Sequence, residues 1–210
     1  MAENLLPLFP LQVVLFPRTE VPLHIFEQRY KEMIGECLAQ QSEFGIVLAL
    51  EEGIASTGCT ASIAELIRKF PDGRMDILVR GERRFELLRL DQGKSYLRGE
   101  AQFFDDEEDE ASAGSELCQQ CLRLFEEIAG KIASERGGEP IAAPDADDPQ
   151  LSFQIAVRLP VELTFRQGLL QLRSESDRLS RLHSYLRRLT LRLTRAQGAK
   201  ARAAGNGRAH

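Results

Sequence analysis

The chain has 210 residues, of which 43% are hydrophobic and 28% charged, and its formal net charge is −5. These proportions are typical of a soluble globular protein with one large or two small domains. No segment approaches the roughly 18 consecutive apolar residues that cross a bilayer. The amino terminus lacks the basic start of a signal peptide. We therefore expect a cytoplasmic protein without a membrane-spanning segment.

The amino-terminal stretch mixes prolines with large apolar side chains; its prolines are Pro7, Pro10, Pro17 and Pro22. Proline fixes φ and cannot donate to a strand ladder. Residues 11–16, which no proline interrupts, are therefore predicted to form one short buried strand. From Ile25 to Leu38 the apolar residues recur every three or four positions, as on one face of an amphipathic helix. This helix is predicted to end before Gln40.

The next segments have the patterns of β-strands. Residues 44–50 (FGIVLAL) are a continuous apolar run of strand length. Residues 59–70 fit a strand, although AELIRKF also fits a helical turn. The sequence FPDG at 70–73 predicts a type I turn of the kind that closes hairpins. Residues 75–80 alternate between apolar and polar, so we expect a second strand antiparallel to the first.

Two further strands complete this part of the prediction. Gly81 is expected to allow a bulge or bend before the strand-like residues 84–88. Residues 96–104 alternate again and predict one more strand. Several closely spaced strands with a single early helix suggest a small twisted barrel that protects its edges by curling.

The blocks LPLFPL, VLFP and PLHIFEQRY, in this order near the amino terminus, resemble the start of the amino-terminal domain of ATP-dependent Lon proteases. That domain also occurs in cereblon and as stand-alone bacterial proteins. GCTASI, DGRMDILVRG and RRFELL resemble its later blocks, so the resemblance covers about residues 5–104. It implies an α+β fold, with a PUA-like β pseudo-barrel and short helix followed by a C-terminal helical bundle.

Residues 105–110 (DDEEDE) are an unbroken acidic run. Such a run repels itself, so it is predicted to be a solvated loop between two structural regions. The alternative, a calcium site, lacks the spaced oxygen ligands and the fixed glycine of a calcium-binding loop.

The second half of the chain is predicted to be helical, with helices at residues 116–136, 151–159, 163–172 and from Ser174 or Ser176 to about 196. The last helix carries leucines spaced by three and four residues, at Leu179, Leu182, Leu186, Leu189 and Leu193. This stripe fits packing on helices of the same chain or a coiled-coil dimer. LSFQIAVRLP and FRQGLLQL resemble the family's helical region, except that Arg166 replaces the usual lysine and Gln171 a glutamate.

These patterns predict four regions: a Lon N-terminal-like β domain (1–104), an acidic linker (105–115), a helical bundle (116–196) and a disordered basic tail (197–210). Charge differs between the halves. Residues 1–110 hold 12 Lys and Arg against 21 Asp and Glu, a net of −9, and residues 111–210 hold 15 against 11, a net of +4. No acidic residue follows Asp177.

The cysteines and histidines offer little for chemistry. Cys118 and Cys121 have metal or redox spacing, but both lie in a helical pattern without the further ligands of a structural zinc site. Buried free thiols are the simpler interpretation, also for Cys37 and Cys59. The histidines, His24, His183 and His210, are scattered. We predict no metal and no cofactor.

Catalytic motifs are also absent from this sequence. It contains neither a phosphate-binding G-x-x-x-x-G-K-[ST] loop nor a G-x-S-x-G elbow. In Lon proteases the ATPase and the serine–lysine protease occupy later domains. The resemblance therefore implies a recognition module that is not an enzyme.

The resemblance implies binding of polypeptides or a protein partner, with a role as adaptor or regulator in proteolysis. Candidate apolar contacts are Phe16, Pro17, Leu23 and Phe26; the opposing interpretation is that Phe16, Leu23 and Phe26 pack in the core. The alternative function is RNA binding through the last helix, by Arg181, Arg188, Arg192 and Arg195. That helix has few aromatic residues for base stacking.

Overall fold

The computed structural model describes residues 5–107, 114–139 and 141–206. Contacts divide the chain into two compact units. The sheet unit comprises Met1–Asp105 and Glu162–Gln171, and the helical unit comprises Asp106–Val161 and Leu172–His210. The predicted α+β class is confirmed. In the described part of the chain, no helix is both long and apolar enough to span a bilayer.

The strands in the described residues are β1 (Leu6–Leu11), β2 (Glu20–Ile25), β3 (Phe44–Ala49), β4 (Ile54–Lys69), β5 (Met75–Asp91) and β6 (Arg98–Phe104). The helices are α1 (Gln28–Gln40), α2 (Gly114–Arg136), α3 (Leu151–Arg158), α4 (Leu163–Leu170) and α5 (Glu175–Asn206). The sheet order is β2-β5-β4-β3-β1-β6, and β5 also pairs with β6. Strands β1, β3, β4, β5 and β6 thus close a ring, which protects their edges. β2 pairs with the first part of β5.

The predicted strand at residues 11–16 is wrong. The strand is β1, which begins at Leu6 and ends at Leu11, and it contains Pro7 and Pro10. β1 runs parallel to β3. Its antiparallel pairing with β6 covers only Leu6 and Pro7, so the missing backbone N–H groups of the prolines remove few hydrogen bonds from the sheet. The side chains of residues 14–16 are still buried, but they belong to a loop.

Helix α1 confirms the predicted amphipathic helix, although it begins at Gln28 rather than near Ile25. Ile25 instead ends β2, where it pairs with Met75. The buried face of α1 is formed by Tyr30, Met33, Ile34 and Cys37. Gln41 ends the helix in a left-handed conformation, with φ of 52°, and donates its backbone N–H to the carbonyl of Cys37.

The predicted hairpin at residues 70–73 is confirmed, since β4 and β5 are antiparallel on either side of it. The N–H of Gly73 donates to the carbonyl of Phe70 at 3.0 Å, and Gly73 has φ of 83°. Both strands are longer than predicted. β5 continues through Gly81, near which the pairing register shifts, as expected of a bulge.

Helix α4 lies in the sheet unit, whereas the sequence groups it with the helical bundle. Gln167 Nε2 donates to the carbonyl of Thr57 at 2.9 Å, and Arg84 Nη1 donates to the carbonyl of Leu170 at 3.2 Å. Leu169 and Leu170 are buried. The short helix therefore completes the packing of the ring strands.

In the helical unit, α5 packs along α2 and against α3. The leucine stripe is buried within the chain at Leu179, Leu182, Leu186 and Leu189. Its partners on α2 include Cys121, which donates its thiol to the carbonyl of Leu179 at 3.5 Å. The stripe therefore supplies the core of a helical bundle.

Helix α5 continues to Asn206, past the end predicted near residue 196. The expected disordered tail is thus helical over residues 197–206. This segment contains four alanines, the strongest helix former, and no proline, and these outweigh its two glycines. Residues 207–210, including His210, lie outside the described residues, as do residues 108–113 of the predicted acidic linker.

Candidate functional site

The predicted apolar contacts occupy very different environments. Phe16 is fully buried and Pro17 is buried, while Leu23 on β2 is half-buried. Phe26, directly after β2, is 59% exposed. Among these candidates, Phe26 therefore offers the largest apolar area to a partner.

The loop that carries Phe16 is held inward by its contacts with β5. Arg18 donates its N–H to the carbonyl of Gly81 at 2.7 Å, and Gly81 donates its N–H to the carbonyl of Thr19 at 2.9 Å. The hydroxyl of Thr19 donates to the carbonyl of Phe16 at 2.8 Å. A Cβ at Gly81 would lie 2.1 Å from the Phe16 oxygen, so only glycine permits this approach.

An exposed surface lies where β2 pairs with the first part of β5. Pro22 and His24 point outward on β2, alternating with less exposed residues. Their cross-strand partners on β5 are Leu78 and Asp76, which alternate with buried residues. We call this surface, together with the adjoining Phe26 and Phe70, the outer face; its members are Pro22, His24, Phe26, Phe70, Asp76 and Leu78.

Aromatic rings cluster on the outer face. The imidazole of His24 stacks on Phe26 with centroids 6.0 Å apart, and meets Phe70 edge-on at 6.1 Å. The guanidinium groups of Arg68 and Arg74 lie 4.5 Å and 5.0 Å from the centroid of Phe70. Phe26 is exposed and Phe70 is half-buried. Aromatic rings beside guanidinium groups are common in protein interfaces.

His24 is oriented in this cluster by a side-chain hydrogen bond. Its Nδ1 lies 2.5 Å from Oδ1 of Asp76, the residue paired with it across the strands. Both side chains are partly exposed, so the contact orients the imidazole ring more than it stabilises the fold. The orientation keeps the ring between Phe26 and Phe70.

Exposed aliphatic side chains on β4 adjoin this region. Leu66 is 41% exposed and Ile67 is 52% exposed. The β4–β5 register shifts between Leu66 and Arg68, so strict alternation fails there. Sequence reasoning missed these residues and Phe70; their signal was the apolar pair inside AELIRKF, which alternation alone does not bury.

The arginines proposed for RNA binding lie together on α5. Arg181, Arg188, Arg192 and Arg195 are all exposed. Leu191, in the same part of the helix, is 58% exposed, whereas Tyr185 is buried. The helix thus presents positive charge, but its tyrosine is not available for stacking on bases.

Arg178, nearer the start of the same helix, has a structural role. It is fully buried and forms two hydrogen bonds of 2.6 Å to the Asp106 carboxylate, one from each terminal nitrogen. It also donates to Glu175 Oε2 at 2.7 Å and lies 4.4 Å from the ring centroid of Phe153. Burial raises the pKa of Glu175, against the opposing effect of Arg178. Asp106, in the acidic run, therefore neutralises a core arginine.

The cysteines are unpaired thiols in the described structure. Burial raises the pKa of Cys121 to about 12 and also raises the pKa of Cys118. Raised pKa values leave the thiols protonated and unreactive. Across the described ranges, no group of three or more His, Cys, Asp and Glu side chains is placed to hold a metal ion.

Comparison with known proteins identifies relatives over most of the chain. A family model described as the ATP-dependent protease La (LON) substrate-binding domain matches residues 5–188. Lon protease 1 of Hydrogenovibrio crunogenus is 28% identical over 183 residues, which make up 81% of this chain and 22% of that protein. Lon protease 1 of Bacillus subtilis is 23% identical over 200 residues, or 89% of this chain and 26% of that protein. The chain thus spans about a quarter of the length of the curated relatives it matches.

Solved structures give the same similarity. The crystal structure of a Lon N-terminal domain protein from Xanthomonas campestris is 26% identical, with a TM-score of 0.67 over 87% of this chain and 98% of that chain. The N-terminal domain of the Mycobacterium avium complex Lon protease is 17% identical, with a TM-score of 0.68 and the same coverage, and supports the fold alone.

Proposed function

Because the chain belongs to the family of LON substrate-binding domains, we propose that it is a non-catalytic module that recognises polypeptide segments and acts as an adaptor or regulator in proteolysis. The family match over residues 5–188 carries this proposal. The exposed apolar side chains of the sheet unit support it, since polypeptides are recognised through buried apolar and aromatic contacts.

The outer face is the proposed contact surface, with Phe26 at its centre. Phe26 combines large exposed area with a ring already positioned against His24. Covering apolar area contributes roughly 25 cal/mol per Å², so an aromatic side chain of a partner would gain most here. Phe16 and Pro17 are not part of this surface because they are buried. Leu23 lies on the opposite side of β2 from the outer face, so it is not a contact residue of this surface.

The test is binding of a fluorescent, reduced and alkylated unfolded polypeptide, measured by anisotropy. Phe26→Ser should weaken binding at least about tenfold, as expected for loss of an aromatic anchor. Leu191→Ser is the matched control, because Leu191 on α5 is 58% exposed against 59% for Phe26. Equal binding by both variants and the unaltered chain would refute the outer face as the contact surface.

RNA binding is the second candidate, and the exposed arginines of α5 are the observation that favours it. Phosphate contacts release counterions, so RNA affinity should fall steeply between low and moderate salt. It should also fall in the double variant that combines Arg188→Gln and Arg192→Gln. Apolar polypeptide binding should change little under both conditions. RNA retention at moderate salt, or by the double variant, would count against phosphate binding through this helix.

We also propose that the protein functions in the cytoplasm. The support is the free state of its cysteines, Cys37, Cys59, Cys118 and Cys121. Unpaired thiols of this kind are usual in a reducing compartment.

A further inference from the structure

Strand β2 lies at one edge of the sheet. Among the strands that the structure describes, it pairs with β5 alone, and its register with β5 is unbroken from Glu20 to Ile25. The side of β2 that faces away from β5 is therefore an open edge. Such an edge presents backbone N–H and C=O groups with which another extended chain can pair.

The hydrogen bonds next to β2 identify the residues whose backbone groups face the open edge. Gly81 donates its N–H to the carbonyl of Thr19 at 2.9 Å, and continuing the register places these two residues opposite each other. Hydrogen-bonded and non-hydrogen-bonded pairs alternate along an antiparallel ladder. Every second residue after Thr19 therefore bonds to β5. The residues in between, whose backbone groups point to the open edge, are Glu20, Pro22 and His24.

Pro22 fits this assignment. Proline has no N–H, so a strand tolerates it where its partner strand needs no donor. At the open edge Pro22 removes one donor from solvent and costs the β2–β5 ladder nothing. Glu20 and His24 keep both of their backbone groups, and all three residues are exposed. The edge thus offers the N–H groups of Glu20 and His24 and the carbonyls of all three residues.

The open edge is continuous with the outer face. The side chains of Pro22 and His24 lie on the outer face, while the backbone groups of the same residues point to the edge. A residue paired with His24 on an added strand would project its side chain to the same side of the sheet. That side chain would lie beside the imidazole of His24, which stacks on the exposed ring of Phe26. One extended segment would therefore contact the edge and the outer face together.

We propose that β2 binds an extended polypeptide segment as an additional antiparallel strand, with a large apolar side chain opposite His24. This inference rests on the proposed function and adds to it the mode of binding. Backbone hydrogen bonds along the edge supply affinity, and the outer face selects the side chain. Antiparallel pairing is slightly the more stable of the two orientations.

A second copy of β2 fits the edge less well than a segment without proline. The second copy would bring its own Pro22, so the new ladder would lack two donors rather than one. In the symmetric register the two prolines would lie opposite each other, and their pair would have no N–H to form a hydrogen bond. Edge prolines protect sheets from pairing with one another in this way. A segment that has all of its N–H groups is therefore the better occupant.

The first test is binding of a fluorescent heptapeptide, KVFVTVT, acetylated and amidated at its ends, to the complete chain, measured by anisotropy. In the proposed strand its phenylalanine points to the outer face, so the N–H groups of the phenylalanine and the threonines point to β2. N-methylation of the phenylalanine and the threonines should therefore abolish binding. N-methylation of the valines, whose N–H groups point away from β2, should leave binding intact.

Two substitutions change the donors of the edge in opposite directions. Pro22→Val adds an N–H and should tighten heptapeptide binding about fivefold, as expected for one hydrogen bond. Glu20→Pro removes an N–H at the first residue of the strand, where proline is tolerated. It should bind about fivefold more weakly than Glu20→Ala, which keeps the N–H. Unchanged two-dimensional NMR spectra away from each substitution establish that the variants are folded. In the unaltered chain, hydrogen exchange at the Glu20 and His24 amides should slow when the heptapeptide binds.

The inference is overturned if the two N-methylated peptides bind alike, or if the donor substitutions leave the affinity unaltered. The proposed function would survive that result, provided that Phe26→Ser still weakens binding of the unfolded polypeptide. The inference is also overturned if sedimentation shows a dimer of the unaltered chain that Glu20→Pro converts to a monomer, because a second copy then occupies the edge. Absence of binding by both the heptapeptide and the unfolded polypeptide would overturn the inference and the proposed function together.

Discussion

The cores of the two units are stabilised by different kinds of contact. The sheet unit relies on close backbone approach, as at Gly81, and leaves aromatic side chains exposed on its outer face. The helical unit buries a leucine stripe together with the charged Arg178, and leaves arginines exposed. The spacing of arginines along α5 therefore does not reveal their function, because Arg178 is buried in the core whereas Arg181 and Arg188 are exposed.

The buried charge of the helical unit should give the largest effect on stability. Arg178→Met would leave the Asp106 and Glu175 carboxylates, which are partly exposed, without the buried cation between them. Removing one partner of a buried ion pair costs about 3–5 kcal/mol. The free energy of unfolding, measured by urea titration with circular dichroism at 222 nm, should fall by this amount. Arg188→Met, an exposed position on the same helix, is the control; equal stability of the two variants would contradict the difference between core and surface arginines.

The sheet unit should respond most to loss of close packing. In Gly81→Ala the new Cβ would lie 2.1 Å from the Phe16 oxygen, so the loop must move away from β5. Overpacking of this kind costs about 1–3 kcal/mol, and hydrogen exchange should accelerate in β2 and the preceding loop. Gly130→Ala is the matched control, because nothing lies within 4 Å of its Cβ position in α2. There the change should stabilise the helix by about 1 kcal/mol. Equal exchange in the two variants would argue against the clamped loop.

A more local effect, no larger than that of Gly81→Ala, is expected at the contact between α4 and the ring. Gln167→Met removes the donor to the carbonyl of Thr57, a hydrogen bond of 2.9 Å in a buried position. The cost should be about 1–3 kcal/mol at most, because an unsatisfied buried carbonyl remains. Protection of the β4 amides near Thr57, measured by hydrogen exchange, should fall, while α2 and α5 stay unchanged. Uniform loss of protection in both units would contradict this local role.

The exposed residues should give the smallest changes. Phe26→Ser and Arg188→Gln each alter a surface side chain, and such substitutions usually change stability by less than about 0.5 kcal/mol. Thermal unfolding of both variants should therefore match that of the unaltered chain. A large destabilisation by Phe26→Ser would mean that Phe26 is a core residue after all, and its binding data would then report folding.

Local patterns in the sequence were sufficient for much of the sheet unit. The FPDG turn and the alternation after Met75 determine a hairpin from neighbouring residues alone, and both predictions are confirmed. The strand predicted at residues 11–16 is wrong because an apolar run without proline also fits a buried loop. Phe16 is buried through contacts with Gly81, a residue remote in sequence, which no local pattern records.

The candidate surface was predictable only in part. Phe26 continues the apolar spacing of α1, so the pattern placed it on the buried side of a helix, whereas β2 ends at Ile25 and leaves Phe26 outside both elements. Phe70 is part of the sequence that predicts the turn, and nothing in that sequence predicts its contact with His24.

The return of α4 to the sheet unit bears on the order of events during synthesis. All strands leave the ribosome before Gln167 and Leu170, which supply the partners of Thr57 and Arg84. The segments that form α2 and α3 emerge in between. In a nascent chain all strands of the ring are therefore available while the first helices of the other unit appear, and the packing of the ring is completed only once residue 171 is available. Folding of the two units is thereby interleaved in time, although each has its own core.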